Sequence, residues 1–271
     1  MRVKVNRIDA RFRRLKKENK KAFIAFITAG YPSLRVTEEL VMSMAAAGAD
    51  IVELGVPFSD PMADGPVIQC SSQQALRNGV TLKRIIALVK RLRGRTEIPL
   101  CLMTYYNPVL SYGERRFAVE ASAAGVDGII VPDLPPEEAE GLRSECAKRG
   151  VHTIFFVSPT TTRERMKKVA ALSGGFIYYL SVTGVTGARA ELPEDAGRQI
   201  RLLRGFTSKP VCMGFGISTP GQVRSVCRVA DGAIVGSAIV RQVSKCREKK
   251  GYNIAREIGR FVSALVEGAH V

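Results

Sequence analysis

Short apolar runs alternate along the chain with longer stretches in which apolar residues recur at every third or fourth position. Apolar runs bounded by Gly, Pro or Asp predict buried strands, and the three- and four-residue spacing predicts amphipathic helices. The predicted strands are, in chain order, Phe23–Thr28, Ile51–Leu54, Pro99–Met103, Gly128–Val131, Thr153–Val157, Phe176–Leu180, Val211–Gly214 and Gly232–Val235.

Helices are predicted in the stretches between these strands. They cover Val36–Ala47, Leu82–Leu92, Arg116–Ala124, Pro136–Lys148, Thr162–Leu172, Ala196–Leu203 and Pro220–Val226. Parallel strands joined by right-handed helical crossovers, eight times in succession, predict an α/β fold, a (β/α)8 TIM barrel. We expect one domain over residues 1–271, with an extra helix over Val67–Asn78 and an N-terminal helix that caps the barrel floor.

The composition adds a strong positive charge, because 41 basic residues stand against 25 acidic ones and the formal net charge is +16. Ile8, Phe12 and Leu15 give the basic N-terminal segment the spacing of an amphipathic helix, so its charges form a solvated face. The sequence has no Trp, and we find no zinc finger and no aromatic set typical of RNA-binding domains. Nucleic-acid binding is therefore not favoured, and attraction of an anionic substrate or adaptation to heat are the open explanations.

No apolar run approaches the length of a membrane span, and the N-terminus lacks the apolar core of a secretory signal. The six cysteines are far apart and contain no Cys-x-x-Cys pair, which disfavours a zinc site or a disulfide framework. We expect a cytoplasmic protein with reduced cysteines and no membrane association.

The most informative segment follows the second predicted strand and reads Glu-Leu-Gly-Val-Pro-Phe-Ser-Asp-Pro-Met-Ala-Asp-Gly-Pro over residues 53–66. Barrels of this kind carry their chemistry at the carboxyl ends of the strands, where Glu53 lies, and Asp64 follows in the same loop. If Glu53 points into the barrel mouth, desolvation should raise its pKa into the range of a usable general acid or base. The alternative is a structural carboxylate paired with an arginine, which the clustering of Gly, Pro and Asp residues disfavours.

Glycine-rich turns follow the last two predicted strands, as Gly214-Phe215-Gly216 and as Gly236-Ser237 at the start of a helix. Glycines allow close approach of the backbone to an anion, and a helix N-terminus adds partial positive charge. We expect a phosphate site there, although two ordinary turns are the alternative. The loop after the sixth strand contains Thr186 and Gly187, which could donate hydrogen bonds to a ligand; a flexible surface loop is the alternative.

Missing residue types narrow the chemistry further. The two histidines, His152 and His270, stand at a predicted strand start and next to the C-terminus, so histidine metal sites and Ser-His triads are not supported. No lysine lies at the carboxyl end of a predicted strand, which argues against a Schiff base. Proton transfer by carboxylates on a phosphorylated substrate is the chemistry that this leaves.

Seven segments together resemble the tryptophan synthase alpha chain family along nearly the whole chain. They begin at Phe26, Glu53, Tyr105, Pro132, Thr183, Gly214 and Gly236, and the Glu53 segment is the most specific. The resemblance implies a lyase that cleaves indole-3-glycerol phosphate to indole and glyceraldehyde-3-phosphate. Met62, where the family pattern usually has leucine, is a departure that leaves the catalytic roles intact.

The resemblance also implies roles for individual residues. Glu53 would protonate indole C3 and help deprotonate the glycerol hydroxyl, Asp64 would hold the indole N–H, and Tyr178 would brace Asp64. The implied phosphate ligands are Gly187, Gly216, Gly236 and Ser237. The implied lining of the indole pocket is Phe26, Met103, Ile130 and Phe215.

The family further implies a tryptophan synthase beta chain as partner in an α2β2 assembly, with pyridoxal phosphate on the beta chain and no cofactor on this chain. Pro57, Asp60, Asn107 and Pro108 lie in loops at the barrel mouth and are the predicted interface residues. A stand-alone lyase that releases indole would share every motif. A non-catalytic regulatory barrel would need a broken acid pair, whereas Glu53 and Asp64 are both present.

Overall fold

The strands form one parallel sheet that curves into a barrel. A computed structural model describes residues 5–181, 194–214, 216–248 and 253–270. The strands are β1 Ala22–Thr28, β2 Ile51–Gly55, β3 Leu100–Met103, β4 Gly128–Ile130, β5 His152–Ile154, β6 Phe156–Val157, β7 Ile177–Leu180, β8 Val211–Gly214 and β9 Gly232–Val235. Their order across the sheet is β5-β4-β3-β2-β1-β9-β8-β7-β6. The predicted (β/α)8 barrel is confirmed.

The fifth predicted strand is the one that differs, because it is divided into β5 and β6. The first part pairs with β4 and the second with β7, so the chain changes partner at Phe155. The Phe155 carbonyl oxygen still accepts a hydrogen bond of 3.0 Å from the Tyr178 N–H. This bond continues the barrel wall across the break.

The helices surround the barrel. They are α1 Arg7–Lys17, α2 Leu34–Ala46, α3 Pro66–Arg77, α4 Leu82–Arg93, α5 Tyr106–Tyr112, α6 Glu114–Ala124, α7 Glu140–Ala147, α8 Arg163–Leu172, α9 Glu194–Arg204, α10 Pro220–Cys227, α11 Ser237–Arg247 and α12 Ile254–Val266. Two of them, α5 and α12, were not predicted. The first begins inside the stretch interpreted as a loop, and Pro108 is tolerated there because the first turn of a helix has free N–H groups.

Two apolar cores follow from the alternation of side chains along the strands. Outward-facing side chains pack against the surrounding helices, and inward-facing ones fill the barrel. Ile8, Phe12 and Leu15 of α1 join the inner core, with the rings of Phe12 and Phe176 5.9 Å apart between centroids. The prediction that this helix caps the barrel floor is therefore confirmed.

Three aspartates fasten the barrel floor, and each directly precedes a strand. Asp50, Asp127 and Asp231 accept hydrogen bonds of 2.8, 2.9 and 3.0 Å from main-chain N–H groups at the starts of β1, β3 and β8. Each is also paired with a basic side chain; Arg93 lies 2.6 Å from Asp127. This network leaves the opposite, carboxyl-terminal end of the barrel free for chemistry.

Candidate active site

Glu53 lies in the third position of β2 with its side chain inside the barrel. It is fully buried, and neither carboxyl oxygen has a hydrogen-bond partner. Burial in these surroundings raises the pKa of Glu53 to about 8, because the charged form loses its hydration. The Arg pairing considered as an alternative is absent, so at neutral pH this carboxyl group holds a proton that it can donate.

A cavity opens at the barrel mouth above the end of β2. Its lining residues come from four different loops and strand ends and are Phe26, Gly55, Val56, Asp64, Ile68, Ser72, Met103, Thr104, Tyr105 and Pro132. Three of the predicted site residues, Phe26, Asp64 and Met103, therefore share one cavity.

Phe26 of β1 lies across the end of β2, and Gly55 makes this possible. A Cβ atom at position 55 would come within 2.5 Å of the Phe26 ring. Only glycine leaves room for the aromatic ring to cover the strand beside Glu53. The apolar surface of the cavity and the buried acid are thus brought together by the parallel pairing of β1 and β2, in which Phe26 is directly opposite Glu53.

Asp64 is half-buried in the loop before α3. Desolvation raises the pKa of its carboxyl group, and hydrogen bonding from the Tyr105 hydroxyl offsets part of the increase. The Tyr105 oxygen itself accepts a hydrogen bond of 2.9 Å from the Ala63 N–H. Tyr105 therefore contacts both Asp64 and the residue before it, and the bracing role that the resemblance implies for Tyr178 stays a prediction.

Tyr105 had no predicted role, although it begins one of the recognised segments. It is the residue before α5, and the first N–H of that helix, on Tyr106, donates a 2.8 Å hydrogen bond to the Asp133 carboxylate. The loop after β4 thus fixes the start of α5 and with it the Tyr105 ring. This contact joins two loops distant in sequence, so the residue pattern alone could not reveal it.

Tyr178 points into the barrel from β7, close to both acids. Burial, followed by the charge of Glu53, raises the pKa of its hydroxyl well above the ordinary value, and Asp64 adds a smaller contribution. Its ring packs against that of Phe156, with the centroids 4.8 Å apart. Ile130 is also in this inner core, fully buried beneath the mouth and outside the cavity lining.

The predicted phosphate residues lie at the ends of β8 and β9. Gly216 is exposed with φ = 74°, a backbone conformation that favours glycine. Gly236 is the residue before α11, whose first residue is Ser237, so the free N–H groups of the first helical turn begin here. Gly236 also approaches Phe26, because a Cβ atom there would be 3.2 Å from the ring. Thr186, Gly187 and Phe215 lie outside the described residues.

The four predicted interface residues differ in exposure. Asp60 and Asn107 are exposed and Pro108 is half-buried, as a contact surface requires. Pro57 is buried in the isolated chain, so of the four it offers the least surface, and its place in the interface stays a prediction. Two apolar side chains not predicted for this surface, Met62 and Leu110, are 84% and 56% exposed.

The described residues contain no group of three or more His, Cys, Asp or Glu side chains suited to a metal ion. Within the same ranges, no helix has the length and apolar character needed to cross a membrane.

Comparison with known proteins identifies the chain's relatives. The family model described as tryptophan synthase alpha chain matches residues 12–267. The tryptophan synthase alpha chain of Geotalea daltonii is 50% identical over 264 residues, which cover 97% of this chain and 99% of the relative. That of Citrifermentans bemidjiense is 49% identical, with coverages of 97% and 98%.

Among solved structures, the tryptophan synthase alpha subunit of Legionella pneumophila superposes with a TM-score of 0.91 at 36% identity. The match covers 98% of this chain and 99% of that one. Sequence and three-dimensional structure therefore both match proteins of the same name over nearly the full length.

Proposed function

The chain belongs to the tryptophan synthase alpha chain family, and we propose that Glu53 and Asp64 carry the chemistry of this lyase. The reaction is cleavage of indole-3-glycerol phosphate to indole and glyceraldehyde-3-phosphate in tryptophan biosynthesis. The observation that carries the assignment of residues is the fully buried, unpaired carboxyl group of Glu53 beside the cavity that contains Asp64.

Glu53 acts first as a general acid. Because the pKa of its carboxyl group is about 8, it is protonated at neutral pH and transfers a proton to indole C3. The ring then carries a positive charge at its nitrogen. Asp64, at the cavity wall, accepts a hydrogen bond from the indole N–H and stabilises that charge.

Glu53 acts second as a general base. Once it has given up its proton, the carboxylate takes the proton of the glycerol hydroxyl next to the ring. The bond between C3 and the glycerol carbon breaks, its electron pair restores the aromatic indole, and the hydroxyl-bearing carbon becomes the aldehyde of glyceraldehyde-3-phosphate. Glu53 ends the cycle protonated, so no other proton donor is required.

The substrate phosphate binds at the ends of β8 and β9. The positive φ of Gly216 and the free N–H groups at the start of α11, with Ser237 as its first residue, support this placement. Gly187 and Thr186, outside the described residues, remain predicted ligands from the sixth loop. Phe26 lies between the phosphate side and the acids, and it is suited to contact the indole ring.

The purified chain, incubated with indole-3-glycerol phosphate while indole release is followed, tests this assignment. Glu53→Gln and Asp64→Asn should each lower turnover by about 10²- to 10⁴-fold, because amides cannot exchange the proton or carry the charge. Glu39→Gln, the same change at an exposed position on α2, is the matched control and should retain normal turnover. Near-normal activity of either site variant would contradict the assignment.

We expect no metal or organic cofactor on this chain, because the sequence places no lysine at a strand's carboxyl end and both assigned groups are carboxyl groups. Chelators and borohydride should leave the lyase activity of the isolated chain unchanged. Pyridoxal phosphate is expected on the beta-chain partner. A single domain over residues 1–271 and a cytoplasmic location remain predictions.

The partner we propose is the tryptophan synthase beta chain, in an α2β2 assembly. Within this assembly the beta chain receives indole directly from this chain. The exposed Asp60 and Asn107 and the exposed apolar side chains Met62 and Leu110 support a docking surface at the barrel mouth. Asp60→Ala should lose most of the stimulation by added beta chain yet keep the basal reaction. An unchanged stimulation curve would remove Asp60 from the interface.

A further inference from the structure

The segment that carries Asp64 is held on both sides by side chains from separate elements. On one side, the Ala63 N–H donates its 2.9 Å hydrogen bond to Tyr105. On the other, the side-chain amide of Gln69 donates a hydrogen bond of 2.8 Å to the main-chain carbonyl oxygen of Asp64. The two bonds restrain the peptide group between Met62 and Ala63 and the peptide group that follows Asp64.

Gln69 is well placed to hold a fixed position because α3 is anchored to the barrel. Ser71 of this helix shares a buried hydrogen bond of 2.7 Å with Thr28 at the end of β1. The Gln69 N–H also bonds to the Gly65 carbonyl oxygen at 3.0 Å, so Gln69 lies in the first full turn of the helix. The strand that ends at Thr28 pairs with β2, which carries Glu53.

The loop itself gives Asp64 little other support. Gly65 precedes α3 and provides no side-chain cap, and a Cβ atom at Gly65 would meet nothing within 4 Å. The Gln69 side chain is exposed, so its burial contributes little to the core. Its hydrogen bond is therefore directed at one target, the Asp64 peptide.

We propose that Gln69 is a positioning residue of the lyase, fixing the Asp64 main chain relative to Glu53 through α3 and β1. The inference rests on the proposed function of the two acids. Gln69 touches no reacting atom in this arrangement. Its effect on the reaction passes through the placement of the Asp64 carboxylate against the indole N–H.

The test compares two substitutions that remove the donor by different means. Gln69→Met keeps a neutral side chain of similar length but has no hydrogen-bond donor. Gln69→Glu keeps the shape of the side chain but replaces the amide donor by an acceptor. Gln73→Met and Gln73→Glu make the same changes one turn further along α3 at an exposed position and serve as matched controls. All four proteins are assayed as full chains with indole-3-glycerol phosphate.

Both Gln69 variants should lose about 10- to 100-fold in kcat, because misplacing a catalytic group by about 1 Å costs up to 10²-fold, with a smaller change in KM. Both Gln73 variants should match the wild type, and all four should keep its melting temperature. Loss in Gln69→Glu alone would show an effect of charge and overturn the proposal. Wild-type kcat in both Gln69 variants would overturn it as well.

A second measurement separates this inference from the proposed function. Amide hydrogen exchange of residues 58–65 without ligand should be faster in Gln69→Met than in Gln73→Met, since a local restraint has been removed. If the wild type releases no indole, or Asp64→Asn is as active as the wild type, the proposed function fails whatever the exchange shows. If Asp64→Asn is inactive while exchange and kcat of Gln69→Met equal those of the wild type, only the positioning role fails.

Discussion

The phenolic oxygen of Tyr105 accepts a hydrogen bond of 2.9 Å from the main-chain N–H of Ala63. Because this bond occupies the oxygen as an acceptor, the hydroxyl proton is free to point towards the neighbouring Asp64 carboxylate. Its hydrogen bonding lowers the pKa that desolvation raises. One tyrosine thereby restrains the loop of the second catalytic acid and lowers the pKa of its carboxyl group.

Tyr105→Phe should therefore shift the acidic limb of the pH profile. Without the hydroxyl, the pKa of Asp64 rises further, so the carboxylate is lost at a higher pH. We expect kcat/KM to begin falling at higher pH than in the wild type as the solution is acidified. Tyr106→Phe, the same change in the next residue, is the control and should leave the limb in place.

The alkaline limb of the pH profile should reflect the loss of the proton from Glu53. Its pKa of about 8 means that kcat/KM should stay level near pH 7 and decrease through an apparent pKa of about 8 as the proton donor is lost. The profile is measured from initial rates of indole release at low substrate concentration. A level profile up to pH 9 would exclude Glu53 as the proton donor.

Glu53 should also impose a pH dependence on stability. Its folded pKa of about 8 lies above the ordinary value of 4.5, so the native state binds more protons than the unfolded state between these limits. The free energy of unfolding must therefore decrease as pH rises through this window, and the full loss is present above pH 8.

Comparison with Glu53→Gln isolates this contribution, since glutamine does not titrate. The variant should gain stability relative to the wild type as pH rises from about 5 to about 9. Urea unfolding at a series of pH values measures the difference. A constant difference across the range would mean that Glu53 is not desolvated in the native protein.

Gly236→Val and Ser237→Ala should affect ligand binding at the proposed phosphate site with different selectivity. A Cβ atom at position 236 approaches the Phe26 ring at 3.2 Å, so valine should weaken binding of the indole moiety as well as of glycerol phosphate. Ser237→Ala removes one hydroxyl and leaves the Phe26 side unchanged. Ser237→Ala should weaken the binding of glycerol phosphate by about 1 kcal/mol. The binding of indole should hardly change, and calorimetric titration measures both.

Substitutions at the barrel floor should lower the free energy of unfolding and leave catalysis intact. Asp127→Ala removes the partner of Arg93 and of the Leu100 N–H in a nearly dry environment, and should cost about 3 kcal/mol or more of unfolding free energy. Glu38→Ala, which breaks surface pairs with Arg91 and Arg95, should cost about 1 kcal/mol or less. The folded fraction of either variant should turn over normally.

Much of the site could be predicted because its residues follow strands in the chain. Glu53 was predicted because it lies at the end of β2, and Asp64 was predicted because it lies in the loop that follows. The sequence could not reveal that Tyr105 hydrogen-bonds to this loop, that Pro57 is buried or that Gly236 approaches Phe26. Each of these contacts joins side chains or loops whose separation is set only when the sheet closes.

For the fold as well, some features follow from the local sequence and others only from the tertiary structure. Local periodicity determined the alternation of strands and helices and the apolar face of α1, because burial on one face requires apolar residues at the spacing of that element. The break at Phe155 and the aspartate network of the floor were decided by tertiary structure. Strand partners and buried charges depend on which chain segments a closed barrel brings within hydrogen-bond distance, and no local pattern contains that information.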